Sequence, residues 1–120
     1  MTIQTYTTYI DGSKTFNMLL TDDKIIGGVA CRDAFTKVAH IADLYIDPKH
    51  RGNGYARELF MSISKWMIEY CPINYLYLYV DENNPMKETY QNYGFRKYKY
   101  QGKYKVTPSG KYWMRKKVNK

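Results

Sequence analysis

The hydrophobic period of this chain changes once, and where it changes constrains the fold more than any other feature. Up to residue 46, apolar and polar side chains alternate with a period of two, the spacing of strands with one buried face. "IQTYTTYI" (3–10) reads as a strand, "DGS" (11–13) as a turn and "TFNMLLT" (15–21) as a second strand. "DDK" (22–24) turns the chain into "IIGGVACRD" (25–33), and "VAHIADLYI" (38–46) is a fourth strand that Pro48 stops. Four strands in succession with short turns predict an antiparallel meander. From Gly54 the period becomes helical: Ala56, Leu59, Phe60, Ile63, Met67 and Tyr70 share one face, and Pro72 ends the helix.

"NYLYLYV" (74–80) returns to alternation, with Leu76, Leu78 and Val80 on one face and Tyr75, Tyr77 and Tyr79 on the other. A strand, a long helix and a strand make a crossover, so strands four and five should run parallel. Asn84 reads as an N-cap, Pro85 as the first helical residue and Gly94 as the stop, which predicts a short helix over 85–93. Phe95 to Gln101 and Lys111 to Val118 close the chain as a hairpin around "TPSG". The expected class is α+β, a mixed sheet in the order β-β-β-β-α-β-α-β-β. At 120 residues with no repeat, low-complexity run or linker, it forms one domain with one core.

The net charge of +8 favours a polyanionic partner without naming it. Much of the excess lies in "FRKYKYQGKYKVTPSGKYWMRKKVNK", which holds ten Lys and Arg and no acid. Interleaved Lys and Tyr suit nucleic acid, because Lys neutralises phosphate and Tyr stacks on bases. The same alternation suits a half-buried strand with one wet face, which is the favoured reading. The N-terminus lacks a basic start followed by an apolar stretch, and no run approaches the roughly 18 apolar residues of a membrane helix, so a soluble cytoplasmic protein is expected. Cys31 and Cys71 stand in neither C-x-x-C nor His-flanked spacing and read as reduced core thiols, with no metal site.

Between the fourth strand and the first helix lies "DPKHRGNGYARELF" (47–60). It suits a phosphate-bearing cofactor, a dinucleotide, a nucleic-acid backbone or a bare turn. A helix N-terminus leaves N–H groups unpaired and carries partial positive charge, so a glycine-rich approach to it is a ready anion site. Gly52 and Gly54 permit close approach, Ala56 keeps the first turn small, and Arg51 can bridge to a phosphate. No Gly-Lys-Ser/Thr occurs, which excludes the phosphate-loop pattern, and Arg57 stands where the dinucleotide pattern needs its third glycine. Four antiparallel strands beforehand are also wrong for a dinucleotide fold.

Within residues 25–95, "R-G-N-G-Y-A" resembles the [RQ]-x-x-G-x-[GA] signature of the GNAT superfamily of acyl-CoA N-acyltransferases. The preceding "ADLYIDPKH" is similar to the strand that leads into that signature. "LYVDENNPMKETYQNYGF" resembles the family's second block, with Asn84, Tyr90, Gly94 and Phe95 in its positions. The resemblance implies a sheet in which strands four and five splay and coenzyme A enters the gap. Leu44, Tyr45 and Ile46 would line its pantetheine arm, and the backbone of Gly52, Asn53, Gly54, Tyr55 and Ala56 would hold the pyrophosphate. Arg51 and Arg57 would add phosphate contacts, and Asn84 would meet the arm from the other side.

The implied reaction moves an acetyl group from acetyl-CoA to a primary amine: a small amine, a peptide N-terminus or a protein lysine. It needs a neutral amine, a donor for the thioester oxygen and a proton for the departing thiolate, whose pKa is ~8.5 if it behaves like a cysteine thiol. By position Tyr90 matches the family's tyrosine acid, against the alternative of an aromatic that only packs on the cofactor. His40 stands where several members carry a base, and histidine titrates near ~6.5. Asp43 is its rival but points to the opposite face unless a bulge intervenes. Other members need no strong base, and His50 faces phosphate or water. The family usually places one or two helices between its first two strands, whereas only "DGSKT" separates them here. The cofactor half therefore looks complete and the acceptor half reduced, and a homodimer would supply the missing wall. A nucleic-acid-binding module and a catalytically silent coenzyme-binding protein are the alternative readings.

Overall fold

A computed structural model of the chain describes residues 1–10, 12–34, 36–99 and 110–118. Four strands open it: β1 (Thr2–Ile10), β2 (Ser13–Asp22), β3 (Lys24–Arg32) and β4 (Val38–Ile46). A 3-10 turn (Pro48–His50), α1 (Tyr55–Tyr70), β5 (Tyr75–Val80), α2 (Lys87–Asn92), β6 (Arg96–Tyr98) and β7 (Tyr112–Lys117) follow. The strands form one seven-stranded sheet in the order β1-β2-β3-β4-β5-β7-β6, a mixed α+β architecture. The first four are the antiparallel meander that their alternation predicts, and β4 and β5 are parallel across the α1 crossover.

Two details depart from the sequence reading. β7 inserts between β5 and β6, so the second strand of the closing pair also pairs with β5 and leaves β6 at the sheet edge. Within that expected hairpin, residues 100–109 lie outside the described residues, which include most of the "TPSG" turn. The short helix begins at Lys87 rather than Pro85, with Met86 at its N-cap. Asp81 and Asn84 explain the delay: their side chains accept from the backbone N–H of Asn83 (3.0 Å) and Met86 (2.8 Å), closing successive turns that compete with helix.

α1 packs on β2, β3 and β4 through Leu59, Phe60, Ile63 and Met67, all fully buried. α2 lies on the same side, since Tyr90 meets Phe60 at 4.8 Å between ring centres. Among the described residues, the opposite face of the sheet carries no helix. The core therefore sits on one side of the sheet, and Phe60, ringed by Tyr90, Tyr93 and Phe95, ties the two helices together.

β4 carries the irregularity that shapes everything downstream. Its pairing with β3 runs from His40 to Ala42 opposite Arg32 to Ala30, then resumes at Tyr45 opposite Gly28, which leaves one extra residue in β4. Asp43 stands in that bulge at φ +58°. The buried side switches parity across it: Ala39 and Ile41 face the core before the bulge, and Ile46, with Leu44 packed beside it, after. Gly27 accepts the returning strand because any Cβ there would collide with the Tyr45 carbonyl.

Candidate functional site

The ladder between β4 and β5 runs from Val38 opposite Tyr75 to Ile41 opposite Leu78 and stops there. Beyond it the strands diverge, and a cleft of about 620 Å³ opens between them. Ala42 to Ile46 form one wall, Leu78 to Val80 the facing one, and Asn84 to Met86 with Tyr90 close the far side. Backbone groups of β4 that would have paired with β5 are thereby turned toward a cavity.

The mouth of the cleft is the loop at residues 50–57. Gly52 (φ +85°) and Gly54 (φ +80°) both adopt left-handed backbone, and a Cβ on either would meet no atom within 4 Å. Gly54 is the N-cap of α1 and supplies no side-chain cap, so the first-turn N–H groups lack an intrahelical partner. Gly54, Tyr55, Ala56 and Arg57 all line the cleft, and that end of the 16-residue helix carries its positive pole. Arg51 braces the loop: Nε donates to the Ile46 carbonyl at 2.9 Å, and the guanidinium lies 5.4 Å from the centre of the Tyr45 ring. Asn53 donates to the His50 carbonyl at 3.1 Å, so its side chain ties the turn rather than facing outward freely.

Tyr90 reaches the cleft from α2. It is 5 % exposed, and burial pushes its hydroxyl up to about 12 against an opposing hydrogen bond with Asn84. At neutral pH it is a phenol that holds its proton. Asn84 thus serves two groups, the Met86 N–H and the Tyr90 hydroxyl.

His40 lies elsewhere. It lines a second cavity of about 310 Å³, with Asp33, Val38, Ala39, Tyr77, Tyr98 and Trp113, on the face away from α1. Its ring meets Trp113 edge-on at 5.0 Å. Burial and the Arg32 guanidinium hold its pKa below the ordinary histidine value, against Asp43 and Asp33. Asp43 lines the cleft and pairs with Arg32 at 2.9 Å in an exposed ion pair. The bulge is the condition under which the sequence reading allowed Asp43 onto the face of His40, and Arg32, opposite His40 in the ladder, binds Asp43; His40 and Tyr90 occupy opposite faces of the sheet. His50 lines the cleft mouth.

The sequence model of the Acetyltransferase (GNAT) family matches residues 3–95. The chain belongs to that family. This GNAT chain also shares its fold with solved structures of low identity. An acyl-CoA N-acyltransferase from Pseudomonas aeruginosa superposes with a TM-score of 0.69 at 16% identity, over 85% of this chain and 67% of that one. A GNAT-family acetyltransferase from Staphylococcus aureus gives 0.65 at 15%, over 90% and 69%. PaiA N-acetyltransferase from Thermoplasma acidophilum, solved with coenzyme A, gives 0.62 at 21%, over 86% and 59%. No curated protein sequence matches the chain.

In this GNAT domain, the residues present suit a coenzyme A donor on structural grounds. Two glycines clear the approach to an uncapped helix N-terminus, Arg57 lies at the same mouth, and the cleft runs from there to a buried phenol. The late Tyr and Lys residues fold on one another: Lys111 sits over Tyr79, Arg115 over Tyr75 and Tyr98, and Lys116 over Tyr93. Sequence reasoning placed Tyr77 on the correct face but missed that Asp33, Tyr98 and Trp113 join it and His40. The Tyr/Lys alternation of the last strands was the available signal. Among the described residues no group of three His, Cys, Asp or Glu gathers as a metal site, and no helix is long and apolar enough to cross a membrane.

Proposed function

We propose that the protein is an N-acetyltransferase that moves an acetyl group from acetyl-CoA to a primary amine directly, with both substrates bound together. The observation that carries this reading is the interrupted β4–β5 ladder beyond Ile41, with the uncapped N-terminus of α1 at the mouth of the resulting gap. Leu44, Tyr45 and Ile46 line the donor's arm, and the backbone from Gly52 to Ala56 binds its pyrophosphate, helped by Arg57. The thioester supplies an activated acyl group. An N–H of β4 beyond Ile41 stabilises the carbonyl oxygen as it gains charge. His40 accepts a proton from the nitrogen as the N–C bond forms. Tyr90 gives one to the sulfur as the C–S bond breaks, leaving an amide and a free thiol. Base and acid thus stand on opposite faces of the sheet, with His40 one step before the β4–β5 ladder ends.

Direct transfer is favoured over an acyl-enzyme by the state of Cys31. Burial, Cys71 and Asp33 push its thiol up to about 12, so it is no nucleophile at neutral pH. The test is a thermal-shift titration with acetyl-CoA and with CoA, followed by thiol release over a panel of amines and peptides. The reading fails if acetyl-CoA neither raises the Tm nor protects residues 50–57 from proteolysis.

A further inference from the structure

The sheet has two edges, and only one of them is protected. β6, at one end, is three residues long and carries Arg96 and Lys97. Short length and charge are devices that keep an edge strand from pairing with another molecule. β1, at the other end, has neither: its nine residues, Thr2–Ile10, include no charged residue and no proline, in a chain of net charge +8. The ladders of β2 with β3 and of β3 with β4 each contain a shift of register, whereas β1 pairs with β2 without one over its whole length. The result is an unbroken, uncharged edge roughly 30 Å long. It also lies beyond the helical layer, since α1 packs on β2, β3 and β4. Thr2, Gln4, Thr5, Tyr6, Thr7 and Tyr9 are exposed, Tyr6 at 46% and Tyr9 at 64%.

The register tells which backbone groups of β1 are free. Only two residues separate Ile10 from its partner Ser13, a spacing at which the closing pair is a hydrogen-bonded one. Bonding alternates along an antiparallel ladder, so the even-numbered residues of β1 direct N–H and C=O at β2. Ile3, Thr5, Thr7 and Tyr9 direct theirs outward, where no strand meets them among the described residues.

The same stretch matches its own reverse. Two copies of β1, set antiparallel about a twofold axis at Tyr6, place Thr5 opposite Thr7, Ile3 opposite Tyr9 and Gln4 opposite Thr8. Thr–Thr and aliphatic–aromatic pairs are among the cross-strand contacts that stabilise sheets. Every outward-directed residue then meets another, so the free donors and acceptors bond in pairs. Tyr6 meets the Tyr6 of the other copy, and no like charges within β1 face each other along the seam. Lys14, opposite Tyr9 on β2, lies 5.5 Å over the Tyr9 ring.

We propose that β1 is a docking edge for a second copy of this chain, giving a twofold dimer in which the two sheets join into one and both α1 helices lie on the same face. The self-match of the sequence about Tyr6 selects a second copy over a foreign strand. Pairing consumes the unprotected edge, and the short, charged β6 edges that remain end the assembly at two copies. β2 and β3 stand between the seam and β4, so the second copy lies away from the donor cleft and the dimer is independent of the acyl-transfer reading.

Light scattering coupled to size exclusion should give a mass twice that of one chain, falling toward one chain on dilution. Thr7→Pro removes an outward N–H and leaves the β1–β2 bonds in place, so it should weaken self-association at least tenfold. Tyr6→Lys sets two cations face to face at the axis and should do the same, which keeps the test decisive if Thr7→Pro does not fold. Cysteine substitution reads the register, because Cys31 and Cys71 are both buried. Tyr6→Cys stands opposite its own copy with Cα atoms about 4.5 Å apart and should form a disulfide-linked dimer under mild oxidation. Thr8→Cys lies roughly 14 Å from its own copy and should not. A single-chain mass at every concentration overturns the proposal. So does a dimer that either folded variant leaves intact, a mass that climbs beyond two copies, or a Thr8→Cys cross-link that forms as readily as that of Tyr6→Cys. A dimer lost in Thr7→Pro and Tyr6→Lys supports the proposal whether or not acetyl-CoA raises the Tm, so the two readings fail separately.

Discussion

Replacing Gly54 by Ala separates what this residue does for the fold from what it does for a ligand. Gly54 caps α1 at φ +80°, and an added Cβ meets no atom within 4 Å, so the free protein loses only through backbone strain. That strain is about 1–2 kcal/mol for an L-residue in left-handed backbone. Roughly 0.4–1 kcal/mol returns because Ala restricts the unfolded chain. The balance of ~1 kcal/mol corresponds to a Tm lower by about 3–6 °C for a domain of this size. Gly12 is the internal control, because it has φ +82° and the same open surroundings but does not line the cleft. Gly12→Ala should therefore cost as much stability as Gly54→Ala. Only the Gly54 methyl intrudes where the unpaired N–H groups of α1 converge. Acetyl-CoA should thus bind Gly54→Ala at least tenfold more weakly, about 1.4 kcal/mol, and bind Gly12→Ala as it binds the parent. Scanning fluorimetry with and without acetyl-CoA, with Kd from calorimetry, reads both effects. Equal affinity in all three proteins would refute the placement of the pyrophosphate over residues 52–56.

Tyr90→Phe preserves the ring packed on Phe60 and Phe95, so its Tm should stay close to the parent's while turnover falls by about 10²–10⁴, measured by thiol release. Full turnover would remove Tyr90 as the acid. As the proposed base His40 has to be neutral, and burial with Arg32 lowers its pKa while Asp43 and Asp33 oppose them. The acidic limb of the kcat/KM profile should therefore fall below pH 6.5, and His40→Gln should abolish it. Cys31, held protonated and fully buried, should resist alkylation at pH 8 in the folded protein and react after denaturation, as a mass-spectrometric time course would record.

The meander, the crossover and the core faces of α1 and β5 were legible because each is a local periodicity backed by burial. Leu76, Leu78 and Val80 are buried and Tyr75, Tyr77 and Tyr79 half-buried, as their alternation predicts. The glycine loop was legible because left-handed backbone needs residues that tolerate it, and Gly52 and Gly54 do. What stayed hidden depended on competition or distance. Asn84 and Pro85 carry good helix-start chemistry, but the Asn84 side chain spends itself on a turn at Met86 and the helix starts later. The bulge at Asp43 leaves no periodic trace, since one extra residue in "VAHIADLYI" shifts the phase only over its last three positions. The insertion of β7 beside β5 brings Trp113 to His40 across more than seventy residues, which no local pattern encodes.

The extra residue in β4 has a consequence for how such a protein can change. Before Asp43 the strand is locked to β5 and shows its even-numbered side chains to the ring-walled cavity; after it, even-numbered side chains turn to the core beside the cleft. One strand thus faces two cavities through two frames of side-chain parity, divided by a single spacer. Substitutions at 38–40 change the lining of one cavity without touching the other, and those at 44–46 the reverse. Deleting Asp43 would merge the frames into one unbroken alternation, in which Leu44 and Ile46 keep the core side. One half of the strand can therefore vary at its own cavity while the other half holds its cavity unchanged.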